Sequence, residues 1–317
     1  MTTTTTEAAE QLTIHITTKV IALAIIIFIT LLGNISLVTT ITCYASLRRK
    51  RVSIFLLNIA AADLMVCLFT MTSEIGAEIF EKWIYGNIGC KLTLYVQIVT
   101  LASTTFLMTA MSIDRYQVLV QPFQSLGNSK TIWRKICAAW SLALLFALPQ
   151  IFIFRETLIY DVKSTKSIPS CSSSGYTEEW QRKLYVTFLT SYILIIPTIV
   201  MSFCYISIIK VVWLRTSDGN QLNVPKIHFV TSRRTMSTLR YQAMASKRNV
   251  VKMTLSVIIC FVVCWTPYFF ILLVRVYSNY QIKFEEAKKF SETLGLLQSA
   301  LNPFLYMIFS KKTLKNI

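Results

Sequence analysis

Residues 89–116 read GCKLTLYVQIVTLASTTFLMTAMSIDRY. No charge interrupts the stretch between Lys91 and Asp114. At its far end an acid and a base, Asp114-Arg115, sit side by side where an apolar helix should meet water. The 25 positions from Cys90 to Arg115 make about 37 Å of helix at about 1.5 Å per residue. That length crosses a bilayer whose apolar core is about 30 Å thick. A helix joining a cysteine on one membrane face to an ion pair on the other suits transmission of a signal better than catalysis.

Working outward, six further apolar runs fall near 20–44, 54–76, 132–154, 184–214, 250–277 and 290–309. Of the 317 residues 54% are hydrophobic and only 15% charged, where a soluble domain carries about a quarter charged. The long uncharged runs predict an all-α membrane protein, a bundle of seven transmembrane helices. The period-two alternation of a membrane barrel is absent. The organisation expected is a polar, disordered outer tail over 1–18, the bundle over 19–309, and a cytoplasmic tail or amphipathic helix beginning at 310–317. The first run is too long for a signal peptide and acts as its own insertion signal. Asn34-Ile35-Ser36 is formally a sequon, but lies mid-span where no sugar can be added.

The net charge is +17, from 32 basic and 15 acidic residues. In a soluble protein this would suggest nucleic acid, but its distribution excludes that partner. Arg48-Arg49-Lys50-Arg51 follow the first span, and Lys130, Arg134 and Lys135 follow the third. The stretch from Lys210 to Lys252 holds Asp218 as its single acid, and Lys311, Lys312 and Lys315 follow the last span. The other face is nearly neutral. The positive-inside rule then puts the N-terminus outside and the C-terminus in the cytoplasm. The basic surface faces anionic lipid and any acidic partner.

The eight cysteines include no CxxC pair, and His15 and His228 lie far apart outside the spans. A zinc site or a histidine-based catalytic centre is therefore not expected. On this topology Cys90 and Cys171 are the only outer cysteines, and an oxidising space should pair them.

Asp63 sits mid-span, and a carboxylate at that depth is a functional signal. Oxygen-bearing residues in other spans, Asn34, Thr104, Ser299 and Asn302, would suit a sodium ion beside it. Pro149, Pro197, Pro267 and Pro303 each remove a backbone hydrogen bond and favour a kink. A ligand entering from outside would meet Glu74, Gln97, Gln150, Arg275 and Glu292 near the mouth, above an aromatic floor of Trp265, Tyr268 and Phe269.

Taken in order, these motifs resemble the rhodopsin-like (class A) G-protein-coupled receptors. The match runs through Gly33-Asn34, Leu57-Asn58 with Ala62-Asp63, Cys90, Asp114-Arg115-Tyr116, Trp140, Pro197 with Tyr205, Cys264-Trp265-Thr266-Pro267 and Asn302-Pro303-x-x-Tyr306. Within the class, Gln97, Leu148-Pro149-Gln150, Lys252-Met253-Thr254 and Cys264 to Phe269 are similar to vasopressin/oxytocin-type receptors. Neuropeptide S, cardioactive-peptide and gonadotropin-releasing-hormone receptors are the competing branches.

The resemblance implies a plasma-membrane receptor for a short neuropeptide. It would signal through a heterotrimeric G protein, Gq by analogy, with arrestin as a further partner. The activation residues it implies are Asp114, Arg115, Tyr116, Phe123, Tyr205, Lys247, Trp265, Pro267, Asn302, Pro303 and Tyr306. Span six would pivot at Pro267 and open a cytoplasmic cleft under Arg115. Three departures qualify the match. Leu94 and Leu272 stand where vasopressin-type receptors carry a lysine and a glutamine. Lys247 stands where rhodopsin has a glutamate that locks Arg115, so Arg115 should lean on Asp114 alone. An ion-coupled transporter is the rival class. It would need more charges inside the spans and a repeat between halves, and neither is present.

Overall fold

The computed structural model describes residues 2–80, 82–121, 130–161, 166–217, 233–282 and 284–314. Side chains are described over 17–80, 82–121, 130–160, 167–211, 251–282 and 284–308. Seven long helices make the bundle: α1 Thr2–Cys43, α2 Arg51–Phe80, α3 Gly86–Val120, α4 Lys130–Ile153, α5 over 179–217, α6 Arg233–Tyr277 and α7 Glu285–Leu314. Among the described residues, α1 through α6 are long and apolar enough to cross a membrane. The more polar α7 packs alongside α6 and α1.

The helix α1 begins at Thr2, where the sequence leads one to expect a disordered tail. Glu7-Ala8-Ala9-Glu10-Gln11 are good helix formers and extend the apolar helix outward. At the other end α7 runs unbroken through Leu314.

Proline shapes the helices in two ways. In α4 the helix yields at Leu148, and Pro149 starts a fresh turn, where its missing N–H costs nothing. In α5 a π-helical segment, Ser191–Ile195, precedes Pro197. The proline cannot donate to Ile193 and its ring crowds that carbonyl, so the turn widens. Pro267 and Pro303 stay inside α6 and α7. A second π-helical segment, Val66–Met71, lies in α2 without a proline.

Between α4 and α5, β1 Arg155–Asp161 and β2 Lys166–Ser172 form an antiparallel hairpin with Glu156 opposite Cys171. A disulfide from Cys171 to Cys90 pins it over the start of α3. The Trp83 amide donates to the Pro169 carbonyl at 2.8 Å and secures the neighbouring loop.

The core runs down the bundle axis through Phe55, Leu107, Met108, Met111, Ile193, Phe261 and Phe269. Phe28, Phe152, Phe203 and Phe270 point outward and are exposed, forming an apolar belt that lipid would cover. Two glycines allow helices to touch. A Cβ on Gly33 would lie 2.6 Å from Pro303 Cγ, and one on Gly295 would lie 2.9 Å from Trp265 Cζ3.

Candidate functional site

At the Cys90 end the helices enclose a cavity of about 380 Å³. Glu74, Gln97, Trp265, Tyr268, Phe269, Arg275 and Glu292 all line it. Gln150 does not: the turn at Pro149 sends it towards α5, where its Nε2 donates to the Tyr185 hydroxyl at 2.8 Å. Leu94 and Leu272 contribute apolar wall. Trp265 forms the floor, and its indole Nε1 donates to Gln298 Oε1 at 2.8 Å. Gln298 precedes Asn302 by one helical turn and so shares its face, a spacing by which it was open to discovery in the sequence.

Most charges around the mouth are already matched. Arg275 donates twice to Glu285, at 2.7 and 3.1 Å. These bonds from Arg275 hold the Glu285 carboxyl below its ordinary range. Lys288 meets Glu292 at 3.0 Å, and Lys19 meets Glu78 at 2.6 Å.

Deeper in the bundle Asp63 is fully buried and accepts from Asn302 Nδ2 at 2.8 Å. Ser299 flanks the same carboxylate. Asn34 Nδ2 donates to the carbonyls of Thr30 and Ser299 at 3.0 and 3.1 Å, joining α1 to α7. Asp63 Oδ1, Asn302 Oδ1 and Asn34 Oδ1 are buried with no hydrogen-bond partner among the described residues. Thr104 and Ser299 also line the cavity floor, so it reaches this polar layer. The donor set is oxygen only, which fits a small hard cation.

At the opposite end Asp114 is fully buried and gathers three cations. Arg115 Nη2 lies 2.5 Å from one oxygen, while Arg51 Nη2 and Lys135 Nζ lie 2.8 and 3.0 Å from the other. Lys135 also donates to Gln117 at 2.7 Å. Among the described residues Asp114 is the ion-pair partner of Arg115; the side chains at the base of α6, on which the expectation about Lys247 turns, lie outside them. Arg51 and Lys135 add a feature that sequence reading missed. They count as loop charges in the sequence, but each stands at or just inside the start of a helix, α2 and α4.

Tyr116 packs near Phe203, with ring centroids 5.9 Å apart. Tyr205 and Tyr306 are both buried at this end. Trp140 donates to Asn58 Oδ1 at 3.2 Å and ties α4 to α2. Phe123 lies outside the described residues, as does the side chain of Lys247.

Known proteins share this pattern. Residues 33–306 match the family described as the 7 transmembrane receptor (rhodopsin family). A mesotocin receptor of Rhinella marina is 29% identical over 300 residues, spanning 92% of this chain and 74% of that receptor. The C-X-C chemokine receptor type 2 of Homo sapiens is 29% identical over 316 residues, 96% of this chain and 78% of its own. The vasopressin V1b receptor of Mus musculus is 27% identical over 283 residues, 84% of this chain and 66% of its own.

Proposed function

The chain belongs to the rhodopsin family of seven-transmembrane receptors, and on that premise we propose that it binds a short extracellular peptide and activates a heterotrimeric G protein. The family is one of receptors, not enzymes, and its members are multi-pass membrane proteins.

The observation that carries the ligand reading is the cavity of about 380 Å³, polar at its mouth and floored by Trp265. Its size falls in the range of ligand sites. Mesotocin and vasopressin V1b receptors among the relatives favour a vasopressin/oxytocin-like peptide. Leu94 and Leu272 in the cavity wall, and equal identity to a chemokine receptor, favour a second reading, a different peptide.

The basic loops argue that the Cys90 end faces outward and the Asp114 end the cytoplasm. A peptide that fits the active arrangement better draws the population towards it. Contact at Trp265 would strain its bond to Gln298 on α7. The α6 helix would then swing about Pro267, and Arg115 would leave Asp114. The C-terminal helix of a G-protein α subunit, of the Gq class by analogy, would enter the cleft beside Tyr205, Tyr306 and Lys247. Phe123 and the basic loop would frame it, and arrestin would use the same face. In the resting state a sodium ion held by Asp63, Thr104, Ser299 and Asn302 would supply positive charge against the buried carboxylate.

Expression in cells with a panel of amidated neuropeptides, read by calcium release, tests this reading. One peptide family should respond at low concentration. Silence to all vasopressin-like peptides with a response to another family would select the second reading. Silence to every peptide would count against a peptide ligand.

A further inference from the structure

Four charged residues line the cavity, Glu74, Glu292, Arg275 and Lys288, and three of them are paired. Arg275 is taken by Glu285, Lys288 by Glu292, and nearby Lys19 by Glu78. Glu74 is left over. Its Oε2 is wholly buried and has no hydrogen-bond partner among the described residues. One turn earlier on α2, the Thr70 hydroxyl is likewise buried without a partner, and it too lines the cavity. Two orphaned polar groups four residues apart share one helix face.

A carboxylate oxygen buried without a hydrogen-bond partner is costly, and such exceptions call for an explanation. The π-helical segment Val66–Met71 lies just before Glu74. One extra residue in a turn rotates the rest of the helix by about 100°, so the segment decides that Glu74 faces the cavity.

We propose that Glu74 and Thr70 form a subsite for a cationic group of the ligand, a primary ammonium or a guanidinium. The inference rests on reading the cavity as the ligand site. The cation supplies the missing donors: the carboxylate accepts a charge-assisted hydrogen bond, and the Thr70 oxygen accepts a second. Buried away from water, this pair selects a charged ligand over its neutral isostere.

The test uses purified receptor in lipid nanodiscs and two matched probe pairs, read by calorimetric binding and by thermal shift. Phenylalanine amide against N-acetylphenylalanine amide probes an ammonium; N-acetylarginine amide against N-acetylcitrulline amide probes a guanidinium. At least one cation should bind about tenfold or more tightly than its neutral partner. Glu74→Gln should erase that preference, and Thr70→Val should reduce it. Ligand-free Glu74→Gln should melt no lower than the parent, because it removes a carboxylate whose buried oxygen has no hydrogen-bond partner among the described residues. Equal binding within both pairs, no binding by any probe, or a preference that survives Glu74→Gln would overturn the assignment. A peptide response in cells alongside such a result would leave the receptor reading intact. Cation binding without any peptide response would do the reverse.

Discussion

The Arg51 guanidinium, at the first residue of α2, meets the Asp114 carboxylate of α3 at 2.8 Å across 63 residues of chain. Lys135 of α4 reaches the same oxygen and Arg115 the other. One buried acid therefore holds the ends of three helices as well as Arg115, the arginine proposed to release on activation.

Asp114→Asn should accordingly do two things. It frees Arg115, so basal signalling should rise. It also leaves three cations short of their shared anion, at a cost of about 2 kcal/mol. Arg51→Ala, which leaves Arg115 and Lys135 in place, should cost less than about 1 kcal/mol because Arg51 is partly exposed. Ligand-free second-messenger levels and thermal unfolding of the purified variants check both.

Gly295→Ala and Gly33→Ala separate packing from signalling. Each added methyl meets a neighbour closer than van der Waals contact, Trp265 in the first case and Pro303 in the second. Both should lose about 1–3 kcal/mol by overpacking. Only Gly295→Ala displaces the indole from Gln298, so only it should alter ligand-independent signalling. Melting curves beside basal activity decide this.

Cys171→Ser opens the bond that fastens the β1–β2 hairpin to α3. Loss of a bridge closing so long a loop typically costs about 2–5 kcal/mol. Surface expression should fall sharply. The double variant Cys90→Ser with Cys171→Ser should behave no worse than either single one, which cell-surface labelling measures.

The oxygen cluster around Asp63 should distinguish sodium from other monovalent cations. At equal ionic strength, sodium chloride should raise the melting temperature above that in choline chloride, since a ligand bound only to the folded state stabilises it. Asp63→Asn should abolish the difference. Parent receptor that melts alike in both salts would exclude the ion.

The sequence made the bundle legible because apolar length and basic loops obey strong physical rules. Cys90 and Cys171 could be paired from topology alone. Seven of the eight proposed ligand residues line one cavity, because motif position fixes depth in a helix of known pitch. Gln150 escaped because a proline turn rotates the residues after it, and no periodicity reveals by how much. Arg51 and Lys135 escaped because a charge beside a helix start reads as loop until the neighbouring helix is placed. The β1–β2 hairpin escaped because its segment lacks clean alternation and looks merely polar.

The most direct test of the central claim is nucleotide exchange on purified Gq with the receptor in nanodiscs, using the peptide that responds in cells. The parent should accelerate exchange when peptide is added. Arg115→Ala should bind the same peptide with unchanged affinity yet drive no exchange. Peptide-driven exchange as fast with Arg115→Ala as with the parent would contradict the account.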